Sequence, residues 1–465
     1  MAFSRRKFLT LAGTSAAGAV LMSPLQALYA RAAKGQPVRG GGFGPIREAP
    51  PLNITELPPD LRFPHLALPQ GFQYTAFSVR GTPMSDGGLV PGDHDGMAAF
   101  AGPRNTTVLV RNHELSPDER EFAVNVPNRF RYDPLAAGGT TTLIVGPNRR
   151  LVRDFPSLAG TYRNCAGGPT PWGTWISCEE NTSTPAENQL IDDPQNAGNR
   201  IPDPNNVSKS HGFNFEVNPR AGLVVPEPLV AMGRFNHEAI CVDPDTGIVY
   251  QTEDRNDSNF YRFRPNQPGK ANQPANLRAG GVLEALRIKG MPRVETRAGF
   301  PIGKPMPVEW VRIEDVNPAE DTVRLEGLSK GAAVFTRGEG IAFGNGEVYF
   351  CCTDGGEREL GQVWRYNPTA ETIELFVEPN DPELLDGPDN VVVTPFGDLI
   401  VCEDGDGTQF LVGITQQGQL YDFARNLIND REFAGACFSP DGQTLFVNIQ
   451  DPGITYAIWG PFPRA

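Results

Sequence analysis

Short apolar runs that end in a carboxylate are the dominant pattern of hydrophobic and polar positions along this chain. The runs are rich in β-branched and aromatic residues, as is typical of β-strands. A turn precedes each run, and another short apolar run precedes most of these turns. Six such runs occur, at 107–114, 174–180, 248–254, 348–354, 399–404 and 445–451. The pattern therefore predicts six β-hairpins.

The similarity of these hairpins predicts the architecture. Six similar antiparallel units, with no helical periodicity between them, favour an all-β fold, a six-bladed β-propeller. The spacing of the units is uneven, so we expect loop insertions on a regular frame. A β-sandwich is the alternative, but it does not require six similar units. We expect one propeller domain over residues 34–465.

The first residues have the pattern of a targeting segment. Two adjacent arginines at 5–6 precede a mildly apolar run, 11–22, which is too short to span a bilayer. The arginines and the Phe-Leu that follows resemble a twin-arginine export signal, and a general secretory signal is the alternative. We therefore expect a signal peptide over 1–33, recognition by the twin-arginine export machinery, a periplasmic or secreted protein, and no membrane anchor after processing.

Composition narrows the possible partners. The net charge of -14 argues against binding to nucleic acid or anionic membranes, and suits cation binding. The 51 glycines and 44 prolines are scattered between apolar runs, so turns explain them better than disorder does. Most of the seven cysteines lie inside strand-like runs and are interpreted as small buried residues. Cys165 differs, because it stands at the start of a Gly-rich loop.

A second set of residues stands directly before the first strand of each hairpin. Both ends of a hairpin lie at the same end of the sheet, because its strands are antiparallel. If six hairpins surround one axis, their entering and leaving groups converge on one mouth. The entering residues are Asp95, Cys165, Glu238, Glu339 and Asp389, with Ala434 in the sixth hairpin. The leaving acids are Glu114, Glu179, Glu180, Glu253, Asp254, Asp354, Glu403 and Asp404.

Such a mouth needs compensation of its charge. About ten carboxylates cannot remain ionised together, because like charges a few Å apart repel and burial adds to the penalty. Either most of them are solvated on separate loops, or cations occupy the mouth. Many oxygen ligands and only five histidines favour a hard cation such as Ca²⁺. A thiolate at Cys165 would add a softer site that suits iron.

Three further residues carry alternatives that the sequence leaves open. Arg337, two positions before Glu339, can hold an anionic substrate or can balance the acids as a salt bridge. His113 and His237 can be ligands, acid–base groups or structural histidines. No GxSxG, GxGxxG or P-loop motif occurs, so the sequence does not support serine-nucleophile or dinucleotide chemistry.

Seven motifs give the chain a family resemblance. It resembles the PhoX-type alkaline phosphatases, and the motifs cover nearly all of the chain beyond the targeting segment. The resemblance implies a six-bladed propeller whose mouth holds an iron–calcium cluster and hydrolyses phosphomonoesters. The motifs are RNHE (111–114), NCAGGPTPWGTWISCEE (164–180), GRFNHEA (233–239), YQTEDR (250–255), FTRGEGI (335–341), GPDN (387–390) and CEDG (402–405).

The resemblance also implies roles for individual residues. The set similar to the iron ligands is Cys165, Glu238 and Glu339, which implies Fe³⁺ there. The set similar to the calcium ligands is Glu179, Glu180, Asp254 and Glu403, and Glu114 and Asp389 are expected in the same metal site. Arg337 resembles the phosphate-contacting arginine, and with Cys165 and Glu339 it forms the expected catalytic group. The implied partner is a small phosphorylated substrate.

Two other functions remain alternatives at this point. One is a calcium-dependent lactonase or phosphotriesterase on the same kind of mouth. The other is a non-catalytic binding propeller in which the acids hold structural calcium only. Iron bound at Cys165 would argue against the calcium-dependent lactonase or phosphotriesterase, because a site with a single calcium needs no thiolate. Retention of both metal content and function by Cys165→Ala would favour the binding propeller.

Overall fold

The computed structural model describes residues 38–193 and 199–464, so the expected signal peptide lies outside the described residues. In chain order the strands are β1 (Ile46–Ala49), β2 (Leu66–Pro69), β3 (Gln73–Phe77), β4 (His94–Ala101), β5 (Thr107–His113), β6 (Gly138–Val145), β7 (Leu151–Thr161), β8 (Asn164–Pro169), β9 (Trp175–Glu179), β10 (Leu190–Asp192), β11 (Arg200–Pro202), β12 (Asn214–Val217), β13 (His237–Val242) and β14 (Val249–Glu253). They continue with β15 (Tyr261–Pro265), β16 (Gly281–Ile288), β17 (Met306–Arg312), β18 (Gly338–Gly344), β19 (Glu347–Cys352), β20 (Gln362–Asn367), β21 (Thr372–Val377), β22 (Pro388–Val393), β23 (Leu399–Glu403), β24 (Phe410–Ile414), β25 (Leu420–Asn426), β26 (Phe433–Phe438), β27 (Leu445–Ile449) and β28 (Ile454–Trp459).

Helical structure is sparse. In the described part of the chain the α-helix α1 covers Val323–Ser329. Short 3-10 helices lie at Ile54–Glu56, Pro59–Leu61, Pro103–Asn105, Arg120–Phe122, Asn128–Phe130, Pro185–Glu187, Val230–Met232 and Leu277–Ala279. Among the described residues, no helix is both long enough and apolar enough to cross a membrane.

All six predicted hairpins are present, as β4–β5, β8–β9, β13–β14, β18–β19, β22–β23 and β26–β27. Strands β4 to β7 form one sheet, and β8, β9 and β12 form another. Strand β3, near the N-terminus, pairs with β28 and completes the sheet of β26, β27 and β28. Strands β22 to β25 continue into β2 and β1, while β10 and β11 form a separate ribbon. The remaining sheet has nine strands, in the order β13-β14-β15-β16-β17-β21-β20-β19-β18.

The first strands of the hairpins pack against one another in a closed ring. β4 contacts β8, and the contacts continue through β13, β18, β22 and β26 back to β4. The architecture is therefore all-β and propeller-like, as predicted. Its division into six blades stays a prediction, because hydrogen bonds through β17 join two of the hairpin sheets into the single nine-stranded sheet.

Every strand of this ring has an interruption of its pairing near its beginning. The register with the second strand shifts at the same place in all six hairpins, which is the geometry of a β-bulge. A bulge re-aims a side chain and is common beside functional sites. The irregular positions include Asp95, Cys165, Glu238, Glu339, Asp389 and Gly435.

Five of these positions are the entering residues that the sequence predicts, but the sixth is not. Ala434 is paired with Asn448 in the regular register, and Gly435 follows it in the irregular stretch. Gly435 has a φ of +65°. A Cβ atom there would lie 2.4 Å from the carbonyl oxygen of Asp95. The sixth hairpin therefore has glycine at this position for steric reasons.

Glycines let the ring strands approach backbone to backbone. A Cβ atom on Gly96 would lie 2.5 Å from the Cα of Ala166 on the neighbouring strand. On Gly168 it would lie 2.0 Å from the carbonyl oxygen of Ile240. On Gly340 it would lie 2.5 Å from the carbonyl oxygen of Asp389. These distances are shorter than van der Waals contact with backbone that cannot rotate away, so the ring has no room for a methyl group there.

We expect Gly340→Ala to destabilise the protein by about 1–3 kcal/mol, because the methyl group overpacks two ring strands. Gly40→Ala is the control, because the new methyl group there meets only the end of the flexible Gln419 side chain. Urea unfolding of both variants measures the difference. Equal stability of the two variants would contradict the close packing of the ring.

Candidate functional site

A cavity of about 580 Å³ opens where the bulges of the ring lie. Its charge is strongly unbalanced, since twelve acidic side chains and four arginines line it. The acids are Asp93, Asp95, Glu114, Glu119, Glu180, Glu238, Asp254, Glu339, Asp389, Asp404, Glu432 and Asp451. The other lining residues are Arg80, Arg163, Arg337, Arg431, Cys165 and Gln450. The mouth expected from the sequence therefore exists as one cavity.

The structure brings together eight of the ten residues that the sequence assigns to the site. These eight are Cys165, Glu238, Glu339, Glu180, Asp254, Glu114, Asp389 and Arg337, and all of them line the cavity. The other two, Glu179 and Glu403, do not line it. Their metal-binding roles have no support from their position.

Cys165 lies in the cavity wall with only 4% of its surface exposed. Its Sγ atom is 3.3 Å from the carbonyl oxygen of His237 and 3.4 Å from that of Glu238. All seven cysteines fall within the described residues, and each is a free thiol. Cys165 is therefore no half of a disulfide, and its sulfur is available as a ligand.

Two overlapping groups of side chains could each hold a metal ion. In the first, the ligand atoms of Cys165, Glu180 and Glu238 lie within 4.8 Å of one another. In the second, those of Glu238, Glu339 and Asp389 satisfy the same limit. Glu238 belongs to both groups, so its carboxylate is common to the two candidate sites.

The pKa values show how unfavourable this arrangement is without a cation. Burial and the nearby Asp389 and Glu180 carboxylates raise the pKa of Glu238 well above its ordinary value. Burial, Asp254 and Glu238 do the same to the pKa of Glu339. The pKa of Asp389 rises to about 7, through burial and the charge of Asp404. Without another cation, these carboxyl groups therefore hold their protons to higher pH than ordinary carboxyl groups do.

Two arginines face the cavity from equivalent positions. Arg337 stands two residues before Glu339, donates from Nη2 to Glu339 Oε1 at 2.7 Å, and donates from Nε to Asp254 Oδ1 at 3.0 Å. Arg163 stands two residues before Cys165 and donates from Nη2 to Glu180 Oε2 at 2.7 Å.

Both arginines have left-handed backbone, with φ of +45° for Arg337 and +46° for Arg163. This conformation is uncommon for a residue with a side chain, and strained residues of this kind cluster at functional sites. The guanidinium groups are thus held in the cavity at some cost in backbone strain.

Strand alternation explains why Glu179 and Glu403 lie outside the cavity. Glu179 ends its strand and accepts hydrogen bonds from His211 Nδ1 at 2.7 Å and from three backbone N–H groups at 2.9 to 3.1 Å. Glu403 likewise accepts from two backbone N–H groups, at 2.9 and 3.0 Å. In each hairpin the next residue, Glu180 or Asp404, points to the opposite side and lines the cavity.

Several lining residues were not assigned to the site by the sequence. Asp95 and Asp404 stand at the ends of hairpins and were recognised as acids of the mouth, but they were not assigned as ligands. Arg163 has the same two-residue offset from its bulge residue as Arg337, and this offset was a usable signal. Glu432 stands three residues before Gly435, and Asp386 stands at the same offset from Asp389 without lining the cavity, so this offset did not identify Glu432.

The two histidines considered in the sequence are structural. His113 is fully buried and bonds through its ring nitrogens to the carbonyl oxygen of Gly92 and the hydroxyl of Thr141. His237 is also fully buried and bonds to the carbonyl oxygen of Gly233. Neither lines the cavity. Of the alternatives, the satisfied structural histidine is the one that the geometry supports.

Comparison with known proteins agrees with this geometry. The family model described as alkaline phosphatase PhoX matches residues 52–453. The structure of Pseudomonas fluorescens PhoX, in complex with vanadate, a transition state analogue, is similar to the chain with a TM-score of 0.68 and 20% identity. The similarity covers 90% of this chain and 98% of that one. A gluconolactonase from Xanthomonas campestris aligns with a TM-score of only 0.41 and 13% identity, over 91% of this chain and 99% of that one. No curated protein sequence matches the chain significantly.

The family model matches most of the chain, and this match identifies the protein as a phosphoester hydrolase. The chain belongs to the alkaline phosphatase PhoX family. The resemblance inferred from the seven motifs is thereby confirmed, and the similar PhoX structure confirms the propeller-like fold.

We expect two neighbouring acids, Glu179 and Glu180, to respond differently to the same substitution. Glu179→Gln removes a buried carboxylate that accepts four hydrogen bonds, so it should cost about 2–4 kcal/mol of unfolding free energy. Glu180→Gln removes one of several mutually repelling charges and should cost less than about 1 kcal/mol. Urea unfolding of metal-free protein measures both, and a larger loss for Glu180→Gln would contradict the assignment.

The buried ion pairs of His211 predict a pH dependence of stability. Burial lowers the pKa of His211, but the adjacent Glu179 and Asp133 carboxylates outweigh this effect and raise it from 6.5 to about 9. Because the folded state holds the proton more tightly, the stabilisation is fully present below pH 6.5 and is lost as the pH rises through about 9.

Between pH 6.5 and pH 10, we therefore expect the unfolding free energy of metal-free wild-type protein to fall by about 3 kcal/mol more than that of the metal-free His211→Gln variant. The variant is the necessary control, because buried acids with raised pKa values also lose stability in this range. Urea unfolding at a series of pH values provides the comparison. Parallel pH profiles for the two proteins would show that His211 is not charged in the folded state.

Proposed function

We propose that the cavity is the catalytic centre of an exported, metal-dependent phosphomonoesterase that acts on small phosphorylated substrates. The observation that carries this proposal is the convergence of five bulge residues, four acids and one cysteine, on a single cavity that Arg337 and Arg163 also line. Membership of the alkaline phosphatase PhoX family supports the reaction type. The similar Pseudomonas fluorescens PhoX is in complex with vanadate, a transition state analogue, which is consistent with a site for phosphoryl chemistry.

The residues present fit a mixed metal site. The group of Cys165, Glu180 and Glu238 offers a thiolate with carboxylates, which suits Fe³⁺. The carboxylates around Glu339, Asp389 and the rest of the cavity offer only oxygen ligands, which suit Ca²⁺. When bound, such ions polarise a phosphoryl oxygen and activate an oxygen nucleophile.

The metal ligands in this proposal differ from the set drawn from the resemblance. We retain Cys165, Glu180, Glu238, Glu339, Asp389, Asp254 and Glu114. Asp404 replaces Glu403. Asp95 and Glu432 are added, because they line the cavity as Asp404 does. Glu179 and Glu403 are omitted, because backbone N–H groups occupy their carboxylates.

Arg337 is the residue best placed to bind the phosphoryl group. Its guanidinium group lies in the cavity and bonds to Glu339 and Asp254. Once cations share the charge of these two carboxylates, the arginine can turn part of its donor fork to a substrate oxygen. We propose that it orients the substrate and stabilises charge on the phosphoryl oxygens as the ester bond breaks.

The six-bladed count and the export route belong to the same proposal. The nine-stranded sheet contains two meanders, β13 to β16 and β18 to β21, and six first strands close the ring. These two features support six blades in one domain over 34–465. The sequence pattern of residues 1–33 supports transport by the twin-arginine machinery to the periplasm or the exterior.

Purified wild-type protein is expected to contain iron and calcium and to hydrolyse p-nitrophenyl phosphate. Cys165→Ala should lose iron and at least about 99% of this activity, since it removes a ligand rather than a distant contact. Cys437→Ala is the matched control, because this buried cysteine lies outside the cavity. Elemental mass spectrometry and the hydrolysis rate provide the two readouts. Metal-free wild-type protein with full activity, or full activity after strong chelation, would refute the proposal.

A further inference from the structure

A second cavity of about 620 Å³ adjoins the first. Arg163 and Glu180 line both cavities, so they form the boundary between them. Most of the second cavity is formed by the long segment that links β9 to β12. This segment is longer than the links that follow β14, β19, β23 and β27, and the link between β5 and β6 is the other long one of this kind among the described hairpin sheets. A molecule bound to the acidic cavity can therefore extend a substituent into this second cavity.

The lining of this second cavity is polar and uncommonly rich in amides. Its side chains carry amide, hydroxyl, carboxylate and guanidinium groups, and its single aromatic residue, Tyr162, is only 6% exposed. A nucleobase needs an open aromatic face on which to stack, and the described lining offers none. An apolar leaving group would leave many of these polar groups without partners, which is costly.

Some of these polar groups have hydrogen-bonding capacity left over. Asn236 is 2% exposed, and its amide nitrogen donates to Glu180 Oε1 at 3.1 Å and to the carbonyl oxygen of Asp254 at 3.0 Å. Its side-chain oxygen accepts no hydrogen bond from the described residues. The buried Oδ1 atom of Asn205 likewise has no partner among them. Asn236 thus offers an unpaired acceptor, and the Asn205 side chain, which has no hydrogen bond to the described residues, belongs to the same lining.

Donors line the same cavity. Arg255 uses Nε for Asp321 at 3.0 Å and Nη1 for the carbonyl oxygen of Asp254, and no described residue accepts from its Nη2. The hydroxyl of Thr182 can donate or accept and has no bond to the described residues. Glu187 and Asp203 add carboxylates to the lining, and they disfavour a second anion. Mixed donors and acceptors without a cationic excess match hydroxyl groups, which both donate and accept.

We propose that this second cavity binds the leaving group of the substrate, and that the preferred substrates are phosphomonoesters of polyhydroxylated alcohols, such as a sugar or glycerol. The inference rests on the proposed phosphatase function. In the reaction, the bond between phosphorus and the ester oxygen breaks, an oxygen of water bonds to phosphorus, and a proton from water passes to the departing alcohol. The products are inorganic phosphate and the free polyol.

The test compares glycerol phosphate with propyl phosphate, which has the same carbon chain without the free hydroxyls. We expect the wild type to favour glycerol phosphate in kcat/KM by about tenfold, and Thr182→Val or Asn205→Leu to reduce this preference about three- to tenfold. Both substitutions remove polar atoms that hold no bond to the described residues, so the fold should tolerate them. Hydrolysis of p-nitrophenyl phosphate should stay within about twofold of wild type. Asn125→Leu, outside both cavities, is the control for the preference.

Binding without turnover gives an independent readout. Calorimetric titration with dihydroxybutyl phosphonate and butyl phosphonate should show tighter binding of the hydroxylated compound, and the two variants should abolish the difference. If p-nitrophenyl phosphate is not hydrolysed at all, the proposed function fails, while the phosphonate pair still decides whether the cavity recognises hydroxyls. If p-nitrophenyl phosphate is hydrolysed but the paired compounds behave alike, or if the variants leave the preference unchanged, the leaving-group assignment is wrong.

Discussion

Repulsion among carboxylates at one end of a closed ring of strands is the constraint on which the rest of this structure depends. Glu238 lies between Asp389 and Glu180, and all three face the same cavity. The ring cannot relax to separate them, because its strands touch backbone to backbone at glycines such as Gly340. Charge must therefore be neutralised by protons or by metal ions, and the donor set of thiolate and carboxylates suits metal ions.

At the end of a ring hairpin, two adjacent residues have different roles, one in stability and the other at the candidate site. Glu179 accepts hydrogen bonds from the backbone and from His211, and so fixes the segment that follows β9. Glu180, the next residue, faces the cavity and pairs with Arg163. Because side chains alternate along a strand, one hairpin end supplies both a structural tie and a candidate ligand. The segment that Glu179 fixes also forms most of the second cavity. The hydrogen bonds of Glu179 therefore also help to position the residues that line the proposed leaving-group pocket.

The hairpins and most of the cavity could be predicted because both follow from local patterns. Alternating apolar runs define the strands, and an acid or Cys165 at the start of a hairpin marks a bulge. Where two acids are adjacent, as at Glu403 and Asp404, the sequence does not show which of them points into the cavity. Glu403 was therefore predicted as a ligand in place of Asp404. Glu432 lines the cavity from a connecting segment, whereas Asp386, at the same offset from its bulge residue, does not, so spacing could not identify it. Gly435 depends on contact with Asp95 of another sheet, which only the closed ring reveals.

Anomalous X-ray diffraction from crystals of the purified protein tests the central claim most directly. Data collected on both sides of the iron absorption edge should show an iron peak within bonding distance of Cys165 Sγ and a Glu238 carboxylate oxygen. Further peaks from calcium should lie among the carboxylates of Glu339 and Asp389. A cavity with no anomalous peak in protein that hydrolyses phosphomonoesters would contradict the claim that metal ions neutralise these acids.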